Sequence, residues 1–331
     1  MKNASCLSRR SFLAASAIAM AGTATAQQGD GAGFPSKPIR LIVAFPPGGS
    51  TTPVARLVGQ KLTERLGVPV MVDNKPGANG LIASEELLRT PGDGHTMLMV
   101  VNTHSLNPLT MASLPYDNNR DFAPISTLYR FELVLVAHPS VAAGNLREFI
   151  ALAKANPSQL NFAVGDNVGQ THLASETFNH VAGTKIQIVP FTGSGPALTS
   201  TMGGHAQVAF ATPTAVISLI KAGKLKAFAV SGSSRVPQLP DLPTFDELGL
   251  KNVDVGGWAG LLAPATTPKP VVNRLGAEIA AIMALPEVRE SLGTMGLSSY
   301  AIGNEPFTAL IKSETVKFDT LIRSANIKLT R

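Results

Sequence analysis

Near the start of the chain, residues 38–53 read PIRLIVAFPPGGSTTP. The apolar run at 39–45 is typical of a strand that is buried on both faces of a parallel sheet. Gly48 and Gly49 allow a tight loop, and the hydroxyl residues before Pro53 indicate a helix start, with Thr52 as the expected N-cap. A strand that leads through a glycine loop into a helix predicts an α/β fold.

The same alternation of strand and helix continues through the rest of the chain. Short apolar runs predict strands at 39–45, 70–72, 97–101, 133–137, 160–164, 186–189, 208–211, 226–230 and 261–263. Apolar residues at helical spacing predict helices at 54–66, 81–88, 146–155, 172–181, 197–202, 215–221, 271–283 and 307–322. We find no fixed-period repeat, so a solenoid is not expected.

Two segments are candidate crossings between domains, residues 129–131 (YRF) and residues 254–258 (DVGGW). If both are crossings, residues 134–255 form an inserted lobe, and residues 27–133 and 256–331 form a discontinuous first lobe. Two α/β lobes joined by two strands are the architecture of a hinged binding protein.

The first 26 residues are interpreted as an export signal. A basic segment precedes a short apolar run and an A-x-A site that ends at Ala26, where we expect cleavage. Residues 8–13 (SRRSFL) resemble the twin-arginine motif except that Ala14 replaces its frequent lysine, and an ordinary Sec signal is the alternative. The one cysteine, Cys6, lies in this segment, so we expect no disulfide. These features predict a periplasmic protein.

Composition excludes several classes of protein. Hydrophobic residues make up 44% of the chain and charged residues 15%, which is enough apolar material for a large core and argues against disorder. Aromatic residues make up only 5%, and three of the basic residues behind the net charge of +6 lie in the signal. The sequence therefore lacks both the stacking platforms and the basic footprint of a nucleic-acid binder.

Four loops between a predicted strand and a predicted helix are rich in glycine and hydroxyl residues: residues 45–53, 165–171 (GDNVGQT), 191–196 (FTGSGP) and 211–213 (ATP). Loops of this type lie at the carboxyl edge of a sheet, where ligands bind. Free N–H groups at a helix start favour an anion. Together the loops predict a cleft for an anionic ligand.

Catalytic motifs are weak by comparison. The sequence contains no G-x-S-x-G elbow, no phosphate-binding P-loop and no H-E-x-x-H zinc motif. His172 and Glu176 are four residues apart on a predicted helix, which we interpret as a polar helix face rather than as a metal site. An exported hydrolase or isomerase that uses this pair remains the alternative from another functional class.

Several motifs, in order, resemble the tripartite tricarboxylate transporter receptors, the Bug-type periplasmic solute-binding proteins. They are residues 38–51, 72–80 (VDNKPGANG), 91–96 (PGDGHT), 242–244 (LPT), 257–260 (GWAG) and 263–268 (APATTP). The resemblance implies a type II-like periplasmic binding protein fold, in which two lobes with mainly parallel sheets close on a small carboxylic acid. It further implies that backbone amides, hydroxyls and water hold the acid rather than an arginine.

The loops and the resemblance together predict a set of substrate-binding residues: Pro47, Gly48, Gly49, Ser50, Thr51, Asn102, Thr103, Gly169, Gln170, Thr171, His172, Thr192, Gly193, Ser194 and Thr212. Asn102 and Thr103 are the looser matches. Asp166 and Asn167 depart from the small residues of the family, and Phe191 and Thr192 replace its usual tyrosine and lysine. These departures predict an altered pocket.

The resemblance therefore predicts a receptor without enzymatic activity, cofactor or metal. It would capture a di- or tricarboxylate or an aromatic acid and deliver it to the membrane permease subunits of a tripartite-type transporter. We expect a monomer. A ligand sensor for a signalling partner is a third interpretation, because transport and sensing use the same lobe closure.

Overall fold

The computed structural model describes residues 33–47, 49–111, 113–165, 169–232, 235–253 and 255–324. The predicted signal and its cleavage site after Ala26 lie outside the described residues. The same holds for Gly48, for Asp166 and Asn167 of the third loop, and for Asp254 of the second candidate crossing.

Strands and helices alternate along the described chain, as the sequence predicts. The strands are β1 Ile39–Val43, β2 Val70–Asn74, β3 Thr96–Val101, β4 Phe122–Phe131, β5 Val134–Ala137, β6 Asn161–Val164, β7 Gln187–Pro190, β8 Val208–Ala211, β9 Lys226–Val230, β10 Gly257–Pro264 and β11 Ser298–Ser299. The helices are α1 Thr51–Leu66, α2 Leu81–Leu88, α3 Thr103–Thr110, α4 Leu146–Ala155, α5 Gln170–Ala182, α6 Ser194–Met202, α7 Pro213–Lys221, α8 Lys269–Ala284, α9 Pro286–Thr294 and α10 Asn304–Ser324. A short 3-10 turn spans Ala78–Gly80.

The strands form two sheets. The first has the order β11-β4-β10-β3-β1-β2, and the second has the order β7-β6-β8-β5-β9. Both are mixed, because β10 runs antiparallel to β3 and β4, and β5 runs antiparallel to β8 and β9. The pairs β1–β2, β1–β3, β6–β7 and β6–β8 are parallel. The two-lobed α/β fold is the predicted one, but the sheets are mixed rather than mainly parallel, because β10 and β5 enter them from the two passages in the opposite direction to their neighbours.

Burial explains why these segments form the two cores. Leu41, Ile42 and Val43 of β1 are all fully buried, as expected of a strand that is covered on both faces. Helix α1 buries Val54, Val58 and Leu62 against that sheet. In the second sheet, phenylalanines fill the space between strands and helices; they are Phe149, Phe162, Phe178, Phe210, Phe228 and Phe245. Large buried side chains of this kind supply most of the favourable free energy of folding.

The chain leaves the first sheet at Phe131, enters the second at Val134, and returns to the first at Gly257. Glu132 lies at the first of these passages. Its Oε2 is 2.1 Å from the point where a Cβ on Gly232 would stand and 2.3 Å from the same point on Gly256. Glycines at both positions therefore make room for the carboxylate beside the two passages. The lobe boundaries themselves stay a prediction.

Four elements were not expected from the sequence: β4, α3, α9 and the two-residue strand β11. Strand β4 contains Pro124, Ser126 and Thr127, which interrupt its apolar pattern. Helix α3 is mostly polar and contains Pro108. The expected N-cap was also wrong, because helix α1 begins at Thr51 with Ser50 as N-cap. No helix in the described part of the chain has the length and apolar character that a membrane span needs.

Candidate functional site

The first predicted loop enters helix α1 through a buried serine. Ser50 is 7% exposed, and its carbonyl accepts a hydrogen bond from Val54 N. Its side chain does not cap the helix. Instead, Ser50 Oγ lies 3.0 Å from the hydroxyl of Tyr129, a fully buried residue of β4. Burial raises the pKa of Tyr129 above its ordinary value of 10, so the phenol stays protonated.

An asparagine of β2 holds the same loop from the other side. Asn74 Nδ2 donates to Phe45 O and to Thr52 Oγ1, each at 2.8 Å. Thr52, the second residue of α1, therefore uses its hydroxyl to hold the loop. These bonds restrain the backbone of the loop before any ligand binds.

The outer part of the same loop is exposed to solvent. Pro47 and Gly49 are exposed, whereas Thr51 is buried. No atom lies within 4 Å of the point where a Cβ on Gly49 would stand, and its backbone is outside the left-handed region. Neither packing nor backbone conformation requires a glycine at this position. Close approach of a ligand to the backbone is another reason for a glycine.

The third and fourth predicted loops meet beside Gly165. Its N–H donates to Thr171 Oγ1 at 3.0 Å, and its carbonyl accepts from Gly193 N at 2.9 Å. A Cβ on Gly165 would stand 2.8 Å from Ser194 N, closer than real Cβ atoms approach. The structure thus brings Thr171, Gly193 and Ser194 together at the starts of α5 and α6.

Asn102 and Gln170 come from different sheets and meet over β10. Gln170 Nε2 donates to Val255 O at 3.0 Å, and Asn102 N donates to Trp258 O at 3.2 Å. Gln170 Nε2 and Asn102 Oδ1 lie 2.6 and 2.8 Å from the point where a Cβ on Gly257 would stand. Gly257 therefore allows two predicted site residues to converge, Asn102 at the N-cap of α3 and Gln170 at the first position of α5.

A small cavity lies at this meeting point. About 20 Å³ of it is open to the centre of a water molecule, which is room for about one water. Asn102, Thr103 and Gln170 line it together with Glu314 and Lys317 of α10. Among the described residues, the buried Asn102 Oδ1 has no hydrogen-bond partner. A buried carbonyl without a partner is costly, so it is a position where a water molecule or a ligand hydroxyl can donate a hydrogen bond favourably.

His172 follows Gln170 and Thr171 on α5. Its Nε2 is 3.7 Å from Glu176 Oε1, and its Nδ1 is buried without a hydrogen-bond partner among the described residues. Within those residues no group of three histidine, cysteine or acidic side chains is placed to hold a metal ion. The pair by itself gives neither a metal site nor an activated nucleophile.

The remaining predicted residues lie at helix starts. Gly169 precedes α5 and is buried, Thr192 lies in the exposed loop before α6, and Thr212 precedes α7 without capping it through its side chain. A second groove, of about 840 Å³, runs along β7 and α6 and is lined by none of the predicted site residues. Apart from Thr212, which lies before α7, the described members of the predicted set thus fall into three local groups, around Ser50, around Gly165 and around Gly257.

Sequence reasoning missed three contributors to these groups: Tyr129, Asn74 and Glu314. Tyr129 lies in strand β4, which the sequence pattern does not predict, and Asn74 stands within the motif at 72–80, which assigns it no role of its own. Glu314 Oε2 accepts a hydrogen bond from the indole Nε1 of Trp258 at 2.7 Å, across 56 residues of sequence. A buried-strand tyrosine and a lone tryptophan are signals that could have prompted a search for polar partners.

Comparison with known proteins identifies the family of the chain. Residues 54–327 match the profile described as "Tripartite tricarboxylate transporter family receptor". Protein BugT of Bordetella pertussis is 32% identical over 317 residues, which cover 94% of this chain and 96% of that protein. The structure of the periplasmic binding protein BugD superposes with a TM-score of 0.81 at 30% identity, covering 89% of this chain and 99% of that one.

Two similar structures contain a bound acid. R. palustris Rpa4515 with adipate has a TM-score of 0.83 at 26% identity and covers 88% of this chain and 98% of its own. MatC from Rhodopseudomonas palustris with bound malate has a TM-score of 0.76 at 28% identity. The match covers 87% of this chain and 100% of MatC. The family profile spans most of the chain, and the solved relatives share its whole fold. The chain belongs to the tripartite tricarboxylate transporter receptors, a family of periplasmic solute-binding proteins that includes the Bug proteins.

Proposed function

We propose that this protein captures a small organic acid between its two lobes, 27–133 with 256–331 and 134–255. The observation that carries the proposal is the convergence of Asn102 and Gln170, from the two different sheets, over Gly257. Residues at the starts of α3 and α5 can both contact one small molecule only if it lies between the lobes. Two lobes with two passages between them can close around such a ligand.

Neutral donors are proposed to hold the acid. The fifteen predicted site residues include no lysine or arginine. The groups they offer are backbone N–H groups at helix starts, the hydroxyls of Ser50, Thr171 and Ser194, and the side-chain amides of Asn102 and Gln170. Such donors bind a carboxylate well where the helix dipole adds to them.

The ligand class follows from this donor set together with the relatives. Adipate and malate, the acids in the two related structures, are both linear dicarboxylates. Three groups of neutral donors, around Ser50, Gly165 and Gly257, suit an acid with two or three separated oxygen clusters. We therefore favour a di- or tricarboxylate over an aromatic acid as the ligand.

The family further supports a role in transport. We propose that residues 1–26 direct export by the twin-arginine route, that cleavage follows Ala26, and that the receptor works as a monomer. In the periplasm it would deliver the acid to the permease subunits of a tripartite-type transporter. The protein needs no enzymatic activity for this role, because closure on the ligand is sufficient.

Native mass spectrometry of the receptor purified from its own host is the direct test. A retained acid gives the ligand's mass, and calorimetry with that acid then gives its affinity. Small-angle scattering should show a smaller radius of gyration at saturation, since the lobes close. Turnover of the retained acid by the pure protein, or an unchanged radius of gyration in a sample that is open without ligand, would contradict the proposal.

A further inference from the structure

We propose that Tyr129 is a positioning residue that makes Ser50 a hydrogen-bond donor to the bound acid. The proposal rests on the proposed function, in which Ser50 contacts the ligand, and adds a residue that does not touch the ligand itself. Tyr129 would donate its proton to Ser50 Oγ, and the hydroxyl of Ser50 would then point its own proton at a carboxylate.

Burial shields the Tyr129 hydroxyl from water and leaves Ser50 only slightly exposed. Tyr129 is fully buried, Ser50 is 7% exposed, and their oxygens are 3.0 Å apart. Among the described residues, Ser50 Oγ is the one hydrogen-bond partner of the Tyr129 hydroxyl. The phenol therefore has no alternative acceptor in the described surroundings, and the bond between the two residues decides how each proton points.

Chemistry gives the bond a direction. Each hydroxyl has one proton, so only one of the two can donate to the other. A phenol is far more acidic than an aliphatic alcohol, and burial raises the pKa of Tyr129 so that it keeps its proton. The phenol is thus the better donor. With Ser50 Oγ accepting from Tyr129, the proton of Ser50 is left for another acceptor.

A carboxylate selects the same direction, because it is an acceptor only. If Ser50 instead donated to Tyr129, it would present only lone pairs to the negative oxygens. In the chain from Tyr129 through Ser50 to the carboxylate, each bond polarises the next and strengthens it. Tyr129 therefore adds to affinity without a contact to the ligand.

The backbone around Tyr129 suits this role. Its strand lies between β10 and β11, where Tyr129 pairs with Ala259 on one side and Ser299 on the other. The ring packs in the core of the first sheet, 6.1 Å from the ring of Phe131. The strand and the core packing thus hold the phenol oxygen in place. The phenol oxygen in turn orients the hydroxyl of Ser50 at the start of α1.

The test is a double-mutant cycle with calorimetric binding to malate, adipate, citrate and benzoate as probes. The variants are Tyr129→Phe, Ser50→Ala and the two together. Tyr129→Phe should raise the Kd of the bound probe about threefold to tenfold. In the Ser50→Ala background the same change should leave the Kd unaltered, since no serine proton remains to be oriented. Tyr116→Phe is the matched control, because it removes another buried phenol oxygen of the first lobe and should bind like wild type.

Each outcome decides one point. Equal Kd values for wild type and Tyr129→Phe, with Ser50→Ala impaired, would overturn the role of Tyr129 and leave the proposed function intact. An equal loss from Tyr129→Phe with and without Ser50 would also overturn it, because the effect would then be structural. Wild-type affinity in Ser50→Ala would remove Ser50 from the site. Failure of all four acids to bind wild type would reject both the inference and the ligand class proposed above.

Discussion

Replacing Gly49 by alanine distinguishes a ligand-binding loop from a simple turn. The structure places no atom within 4 Å of the new Cβ and leaves the backbone outside the left-handed region. The free protein should therefore accept the methyl group without strain. Alanine also restricts the unfolded chain more than glycine does, which should stabilise the free protein by up to about 1 kcal/mol.

Binding should respond in the opposite direction. If the Gly49 backbone approaches a carboxylate, the methyl group displaces the acid and weakens a hydrogen bond to a charged group. Such a bond contributes about 1.5–3 kcal/mol, so the Kd should rise about tenfold to hundredfold. The assay is calorimetric titration with the acid that native mass spectrometry identifies, together with a thermal melt without ligand.

Gly303 provides the control. It is also exposed, with no atom within 4 Å of the added Cβ, but it lies before α10 and outside the predicted site. Gly303→Ala should keep the Kd close to wild type, and any small change in its melting temperature measures the effect of the alanine on stability alone. A Gly49→Ala protein with wild-type affinity would refute the role of this loop in binding, whichever way its stability changed.

Three further predictions concern stability. Thr171→Ala should lower the free energy of unfolding by about 1–2 kcal/mol, because Gly165 N loses its acceptor, and Thr171→Ser should restore it in urea titrations. Glu314→Leu should cost about 1–2 kcal/mol and shift the fluorescence of Trp258, the one tryptophan of the chain, whereas Glu314→Gln, which keeps an acceptor, should cost less. Complete burial lowers the pKa of His104 from 6.5 to about 4, so the unfolded state binds the proton more tightly. The free energy of unfolding should then fall by up to about 3 kcal/mol as the pH drops from about 6.5 toward 4, and a His104→Asn variant with the same pH slope would contradict this assignment.

The local sequence was sufficient for most of the secondary structure. Strong periodicity and glycine loops predict β1, α1 and the strand–helix pairs of the second sheet within a few residues of their observed bounds. Strand β4 and helix α3 could not be predicted in this way. Ser126 and Thr127 of β4 are buried because they donate to carbonyls of the segment at 300–302, more than 170 residues away. A polar residue can occupy a core strand only when such a distant partner exists, and periodicity contains no information about it.

The candidate site shows the same division. Residue types and their place after a strand identify Ser50, Gln170 and Thr171 as candidates, because helix starts and the carboxyl edges of strands follow from local pattern. The local pattern does not identify the residues that contact these candidates. The bond of Ser50 to Tyr129 and the approach of Gln170 to Asn102 join residues 79 and 68 positions apart. The first depends on how strands are ordered in one sheet, and the second on how the two sheets lie against each other.

Taken alone, the sequence determined the α/β class, the order of the elements, the family resemblance and the absence of basic side chains among the predicted site residues. The tertiary structure decided which hydroxyl lies beside Ser50, which residues Thr52 holds together, and why Gly257 has no side chain. The physical reason is that hydrogen-bond direction and close approach are set by distances of about 3 Å between residues that are remote in sequence. Those distances exist only once both sheets have formed and the chain has passed between them.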